Sequence, residues 1–560
     1  MKVADWIAEL RRRHVIRVAV AYVVVAAVAV QASDVLAPNL GLPDWTTTLV
    51  IVIAALGLPI ALVLSWLFDV TPSGPTRTDA PDPREPSAVT QSAPDHRRIA
   101  ILPFSSFSPG QDDEYFASGV TEELTSVISR VSGLEVIART SVMPYKTAPQ
   151  PVSVVARDLR VGTVLEGSIR RAGDRVRVTV QLIDTSSEAH LWSEDYDRDL
   201  SDIFAIQTDI ALAVADALRV RLLEGEEERI EKAPTQDLEA HDLYLLGRHH
   251  LLKRNHQSLL RAIDLFERAL EKDPSYALAA AGLGESWMWA ALGYVMDPPD
   301  DVAERARSAA ERGVRLDGTL AETHIALALV ANFQSDVDVA WSALQRAIEL
   351  NPSSAPAFQA LGLYWIAKGD FAQALRAYER AVELDPRSAN MRLEAGWPPA
   401  YERRYEEFLE RIQEALELDP DYALAHFNLG ACLDALGDPR RGIAAHERAL
   451  ELGGLWGLTK GFIVRAHVHL GEEDEARAVL AEIEGRAATE SGLCLPLAIG
   501  YDALGDAERA VDWLERGIAR ADEPTAGWLH LEGFMPFEAT RDHPRFQAIL
   551  EAEARRVGRL

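Results

Sequence analysis

The sequence predicts a multidomain chain: a two-helix transmembrane hairpin, a mixed α/β domain, then an all-α solenoid of helical repeats. Three observations predict it. Residues 49–68 carry no charged side chain. From 98 to about 230, short β-rich runs alternate with helical periodicity. After about Ala240, a helix ending in Leu-Asn/Asp-Pro recurs at Pro352, Pro386 and Pro420, a period of 34 residues.

The chain of 560 residues exceeds the size at which one hydrophobic core stops growing, so several domains are expected. With 57 Lys and Arg against 86 Asp and Glu, the formal charge of −29 repels polyphosphate and excludes broad nucleic-acid binding. The two cysteines, Cys432 and Cys494, are too few for a disulfide framework or a Cys-rich zinc site.

For the hairpin, residues 1–70, Leu49 to Phe68 would span about 30 Å of hydrocarbon as a helix. Val18 to Val30 is continuously apolar and extends to Leu36 if Gln31, Ser33 and Asp34 reach an interface. A cleaved signal peptide is the competing reading, opposed by the lack of a prompt small-residue cleavage site. Lys2, Arg11, Arg12, Arg13 and Arg17 precede the first span, and Arg77, Arg84, Arg97 and Arg98 follow the second. The expectation is a multi-pass inner (plasma) membrane protein, in contact with the lipid bilayer, with its soluble domains in the cytoplasm. The leader Met1 to Arg13 could instead lie along the membrane surface through Trp6 and Ile7.

Residues 71–97 form a Pro-rich linker, with prolines at 72, 75, 81, 83, 86 and 94. The α/β domain, 98–230, opens on the strand-like run Arg98 to Phe104. Phe116, Val120, Leu124, Val127, Ile128 and Val131 then recur at helical spacing, with Gly133 as a stop. Leu134 to Ala138 reads as a strand and Val152 to Leu159 as a short helix. Thr163 to Arg171 and Arg175 to Asp184 read as strands joined at Ala172-Gly173-Asp174, and Ala189 to Tyr196 as a third. A helix over about 200–223 closes the domain.

This region resembles the TolB-like or FlgO-like amino-terminal domain of bacterial membrane-anchored repeat proteins. The residues that carry the resemblance are Ile99-Ala-Ile-Leu-Pro-Phe104, Glu114 to Leu124, Ser132 to Arg139, Leu165 to Arg171, and Gln181 to Asp184 with Leu191 to Glu194. The resemblance implies a non-catalytic interaction module. It also implies relatives that fuse these modules to nucleotide cyclase or winged-helix domains.

Asp112, Asp113, Glu114, Glu122 and Glu123 are the candidate cation ligands, set against their ordinary role as solvated charges near a helix N-terminus. Glu166, Arg170 and Arg171 suggest cross-strand ion pairs before a phosphate site. His190 and Trp192 lie beside a sheet edge. No Gly-rich phosphate loop occurs, and neither catalytic, cofactor nor metal-binding residues are assigned.

The array, 240–522, resembles tetratricopeptide repeats. Leu361, Gly362 and Trp365 with Ala374, Tyr378 and Ala381 carry the reference unit. Ala262, Phe266, Ala269 and Pro274 carry the first; Leu327, Ala328, Ala340 and Ala347 the third; Leu429, Gly430 and Ala449 the sixth. An insertion near 297–300 follows Trp287 and Trp289, Pro398 and Pro399 interrupt the fifth unit, and two weaker units complete about eight. Residues 523–560 form a capping segment. Such arrays fold as curved solenoids whose groove holds a protein or peptide partner. A chaperone-tail clamp would need Lys and Asn where Gly247 and Leu251 stand, so that specificity is not carried over.

The functional expectation is therefore a membrane-tethered scaffold or assembly factor that is not an enzyme. A small-ligand sensor with the α/β domain as input is the alternative, and a cyclase-related enzyme follows it. No small-molecule ligand is identifiable, and no basic recognition helix is visible.

Overall fold

The computed structural model describes residues 68–71, 74–77, 95–106, 111–172, 175–199, 202–223, 225–253, 255–295, 298–299, 301–487, 490, 492–519 and 537–557. The chain divides into two compact units, 1–92 and 93–560. In the first, β1 (Phe68–Thr71) pairs antiparallel with β2 (Gly74–Arg77), Phe68 opposite Arg77.

This corrects the predicted transmembrane hairpin, and with it the multi-pass inner-membrane localisation and bilayer contact. Among the described residues no helix is long and apolar enough to cross a membrane. Where the second span should end, Phe68–Thr71 is a strand. The β-branched Val70 and Thr71 favour extended backbone, and Pro72 and Pro75 cannot continue a helix. The apolar stretches at 18–36 and 49–67 lie outside the described residues.

In the second unit, β3 (Arg98–Ile101) and β4 (Ser105–Ser106) precede α1 (Gln111–Ile128). Then come β5 (Glu135–Val136), the short helices α2 (Arg139–Val142), α3 (Pro144–Thr147) and α4 (Val152–Leu159), and the long strands β6 (Thr163–Ala172), β7 (Arg175–Asp184) and β8 (His190–Asp199). Helices α5 (Ile203–Ala217) and α6 (Glu226–Glu231) follow. The sheet order is β5-β3-β6-β7-β8, with β4 also on β6. β3 is parallel to β5 and β6, while β6, β7 and β8 form an antiparallel meander. Along β7, Val176, Val178, Val180 and Leu182 are buried at the period of a strand. They meet Val120, Leu124 and Ile128 of α1 and Ile206, Ile210 and Val214 of α5 in one core. A smaller core joins Ala100 and Val164 to Val155 and Leu159 of α4.

The remaining described residues are helical pairs: α7 (Leu238–Leu251) with α8 (His256–Lys272), α9 (Ala277–Trp289) with α10 (Val302–Leu316), and α11 (Ala321–Phe333) with α12 (Val337–Leu350). Next are α13 (Ala355–Lys368) with α14 (Phe371–Leu384), and the split helix α15 (Ala389–Glu394) and α16 (Trp397–Tyr401) with α17 (Tyr405–Leu418). Then α18 (Ala423–Ala435) pairs with α19 (Pro439–Glu451), α20 (Trp456–His469) with α21 (Glu473–Ala487), and α22 (Cys494–Ala503) with α23 (Ala507–Ala519), before the terminal α24 (Pro544–Arg556). Asp237, Asn255, Asp336, Ser354, Asp370, Ser388 and Asp438 each accept a backbone N–H of the first helical turn, which starts these helices where the sequence places them. Pro398 and Pro399 open α16, where their missing N–H groups cost nothing, and the first helix of that pair is broken there. At the insertion, α9 runs into a π-helical turn at Ala290–Tyr294.

In several pairs a glycine on one helix meets a large ring on the other. A Cβ on Gly362 would lie 2.6 Å from the Tyr378 ring, so only glycine admits that tyrosine. Gly430 stands two periods later and lies equally close to His446. α24 lies across the array. Phe546 shares an apolar cluster with Phe427, Phe462 and Leu495. At its far end, Ser335 Oγ donates to Glu553 Oε1 at 3.1 Å and Lys368 Nζ to the Val557 carbonyl at 2.8 Å.

Candidate functional site: the rim and cavity between the α/β domain and the repeats

The α/β domain docks on the loops that join successive helical pairs. Those loops carry Asp273, Asp317, Asn351, Asp385 and Asp419, the last four spaced by 34 residues. Four of the five accept or donate a hydrogen bond from the preceding module. Thr235 Oγ1 donates to Asp273 Oδ2 at 2.6 Å, and Lys232 Nζ pairs with Asp317 Oδ2 at 2.7 Å. Asn351 Nδ2 donates to Ser129 Oγ at 2.9 Å, and Ser141 Oγ donates to Asp385 Oδ1 at 2.5 Å. Asp419 is exposed; its Oδ1 accepts the Asp421 N–H at 3.1 Å within its own loop. One period later the position is Gly453.

Around this ladder the contact is continuous. The Ala138 N–H donates to the Leu384 carbonyl at 3.0 Å, so β5 ends against the last turn of α14. Glu135 accepts from Arg98 and, at 2.8 Å, from Arg380, while Arg98 Nη2 also reaches the Glu383 carbonyl at 2.5 Å. Ser126 Oγ donates to Glu322 Oε1 at 3.0 Å, and Ser353 Oγ to the Leu134 carbonyl at 3.0 Å. The Arg387 guanidinium sits 5.6 Å from the Tyr145 ring centre. A Cβ on Gly119 would lie 2.3 Å from Leu245 Cδ1, so the glycine lets α1 approach α7 closely.

Two buried acids sit in this contact. Glu123 takes hydrogen bonds from Gln207 Nε2 at 2.5 Å and from the His241 ring, tying α1, α5 and α7 together. Burial opposes the His241 imidazolium, but the charge and hydrogen bond of Glu123 outweigh it and raise the pKa. Burial pushes the Asp385 carboxyl up to about 6, against the opposing hydrogen bonds of Ser141 and Thr140. It therefore titrates between mildly acidic and neutral pH.

Between the docked domain and the array lies a cavity of about 740 Å³. Tyr244 of α7, Leu278 of α9, Ile325 of α11, Gln359 of α13, Met391 of α15 and Phe427 of α18 line it, so the first helices of successive pairs face one common space. Glu122, Ser126 and Arg139 close it from the α/β side. Arg248, partly buried, pairs with Glu285 at 3.5 Å, and its Nε has no hydrogen-bond partner.

The sequence-derived candidates separate here. Asp112, Asp113 and Glu114 fall in the first turn of α1, and their side chains lie outside the described residues. Glu122 pairs with Arg139 at 3.6 Å and Glu123 holds His241, so the two adjacent carboxylates serve different partners. Among the described residues no group of three or more His, Cys, Asp or Glu side chains could hold a metal ion. Glu166 stands opposite Gln181 and Arg170 opposite Arg177, so the predicted pairing across β6 and β7 is replaced by pairs one strand further along. There Asp197 takes Arg177 and, at 2.5 Å, Arg175, because β8 supplies the acids. Arg171 lies over the Phe116 ring at 5.6 Å. His190 is exposed on the edge strand β8, and Trp192 packs against the core. Gly247 faces the Phe266 ring and Leu251 is buried. Sequence reasoning missed Glu123–His241 and the ladder, although the 34-residue recurrence of Asn or Asp before proline was its visible signal.

Tetratricopeptide-repeat models match residues 355–388 and 412–444. These segments are tetratricopeptide repeats. Residues 95–212 match a model described as the second domain of HilA/YgeH-like transcriptional regulators, a different description from the TolB-like or FlgO-like resemblance read from the sequence. A protein of Rhizobium meliloti (strain 1021) named "Putative adenylate cyclase 3" is 39% identical over 261 residues, 46% of this chain and 44% of that one. The chain thus spans less than half the length of this relative. Among solved structures, the APC/C hetero-tetramer Cut9-Hcn1 aligns with a TM-score of 0.40 and 15% identity, covering 63% of each chain. PilF of Pseudomonas aeruginosa aligns at 0.29 and 14%, over 37% of this chain and 92% of that one. YrrB, titled a tetratricopeptide protein with an unusual peptide-binding site, aligns at 0.23 and 20%, over 33% and 91%.

Proposed function

We propose that the chain is a non-enzymatic protein-interaction scaffold whose repeat groove recruits a protein or peptide partner, with the α/β domain, bounded at about 98–230, as a fixed wall of that groove. The observation that carries this reading is the shared cavity of about 740 Å³, faced by first helices from α7 to α18. Stacked repeats expose one continuous inner surface in this way, and such surfaces take peptide segments. The activity in the relative's name is not brought over, because the matched stretch is 44% of that protein. A regulatory reading has one observation in its favour: a ligand in the cavity would touch both domains at once, which would couple them.

The test is photo-crosslinking in cells from a probe at Tyr422, on the groove, and at Arg376, exposed on the outer helix α14. A partner captured from Tyr422 and not from Arg376 supports the reading. No partner, or the same proteins from both sites, contradicts it.

A further inference from the structure

The ladder of loop residues stops at a rung that the α/β domain does not reach. Asp273, Asp317 and Asp385 are each covered by a donor from the preceding segment, Thr235, Lys232 and Ser141, while Asn351 donates to Ser129 Oγ; Asn351 and Asp385 are buried. Asp419 repeats the same loop geometry and remains exposed. Beside it the cavity continues over Tyr422, Leu424, Leu452 and Leu455, all partly exposed.

We propose that this stretch of rim docks a cationic amphipathic segment of a partner protein, a lysine on Asp419 and an adjacent aliphatic side chain over Leu424 and Leu455. The proposal rests on the scaffold reading and names the chemistry of its partner. Three observations support it. The surface is continuous with an interface that already uses the preceding four rungs. One of those rungs supplies the pairing itself, the Lys232 ammonium on Asp317 at 2.7 Å. The chain's net charge of −29 attracts a basic segment and repels an acidic one. Among the occupants a groove can take, a basic segment is the one that adds both the ion pair and the apolar contact at this rung.

The experiment uses the full chain and a fluorescein-labelled 12-residue peptide in which lysine and leucine recur at helical spacing, read by anisotropy. Asp419→Lys is compared with Glu475→Lys, an exposed position in the first turn of α21 that changes net charge equally. We expect about tenfold weaker binding for Asp419→Lys and less than about twofold for Glu475→Lys, the size of one lost interfacial charge pair. Asp419→Asn, which keeps the acceptor for the Asp421 N–H, is expected to fall between them. Equal losses at both sites would reveal attraction by net charge alone and overturn the proposal, as would absence of binding to the unaltered chain. If Asp419→Lys leaves the partner crosslinked from Tyr422 unchanged, the scaffold reading stands and the rung is wrong.

Discussion

The two halves of the array are braced differently. From α7 to α14 the rim is held by the preceding segment through polar contacts on the loops, whereas α18 to α23 are held by the chain's own terminal segment through an apolar cluster and Asp502, and the far end of that segment reaches back to Ser335 and Lys368. That acid accepts the Glu538 and Thr540 N–H groups at 2.8 and 2.7 Å and so anchors the approach to α24. The interiors differ too. Tyr378 and His446 occupy equivalent positions two periods apart over equivalent glycines, but the second is polar.

The sharpest way to break this comparison is to damage the core of the first half. Phe266 is completely buried against Gly247 and Gly282, and Phe266→Ala should lower unfolding stability by about 3–5 kcal/mol, measured by urea denaturation. A loss below about 1 kcal/mol would mean that neighbouring repeats collapse into the space. In the second half, Asp502→Ala leaves two backbone donors without their acceptor and should cost about 1–3 kcal/mol. Limited proteolysis should then cut between α23 and α24 while leaving α7 to α14 intact.

At the docked rim, Asp385 is the pH-sensitive contact. Its carboxyl titrates at about 6 when docked, against an ordinary value of 3.8, so the docked state holds the proton more tightly. Stability from this group is therefore full below about pH 4 and is lost as pH rises through about 6. Asp385→Asn, a neutral isostere, should flatten that dependence and gain on the order of 1–2 kcal/mol at pH 7, read from thermal melts between pH 4 and 8. The smallest effect falls at His446. Burial lowers its pKa from 6.5 to about 3, and both ring nitrogens lack hydrogen-bond partners. Its stability contribution is present above the ordinary value and lost as pH falls from 6.5 towards 3. His446→Phe, packed between Phe427 and Phe462, should remove this acid sensitivity and gain about 1 kcal/mol.

The repeats were legible because their signal is local. Gly362, Tyr378, Ala381 and Pro386 each do within one pair what their type allows, and the period repeats it. The strands β6 and β7 were legible for the same reason, since their buried valines alternate at the pleat. The membrane hairpin was read from an uncharged run of spanning length and its flanking basic residues; among the described residues no helix is long and apolar enough to cross a membrane, and Phe68–Thr71 is a strand, where β-branched residues and the following proline favour extended backbone. The rim positions recur with the 34-residue period, but their partners were not legible. Ser129 meets Asn351 and Glu123 meets His241 across more than a hundred residues of sequence, and no periodicity in the α/β segment encodes that meeting.

Hydrogen exchange of the full chain over residues 129–142 tests the docking most directly, because the Ala138 N–H is bonded to the Leu384 carbonyl across the contact. The account predicts strong protection there, lost in a variant carrying Arg380→Glu and Asp385→Arg while β6 and β7 stay protected. Equal exchange of 129–142 in both proteins would contradict it.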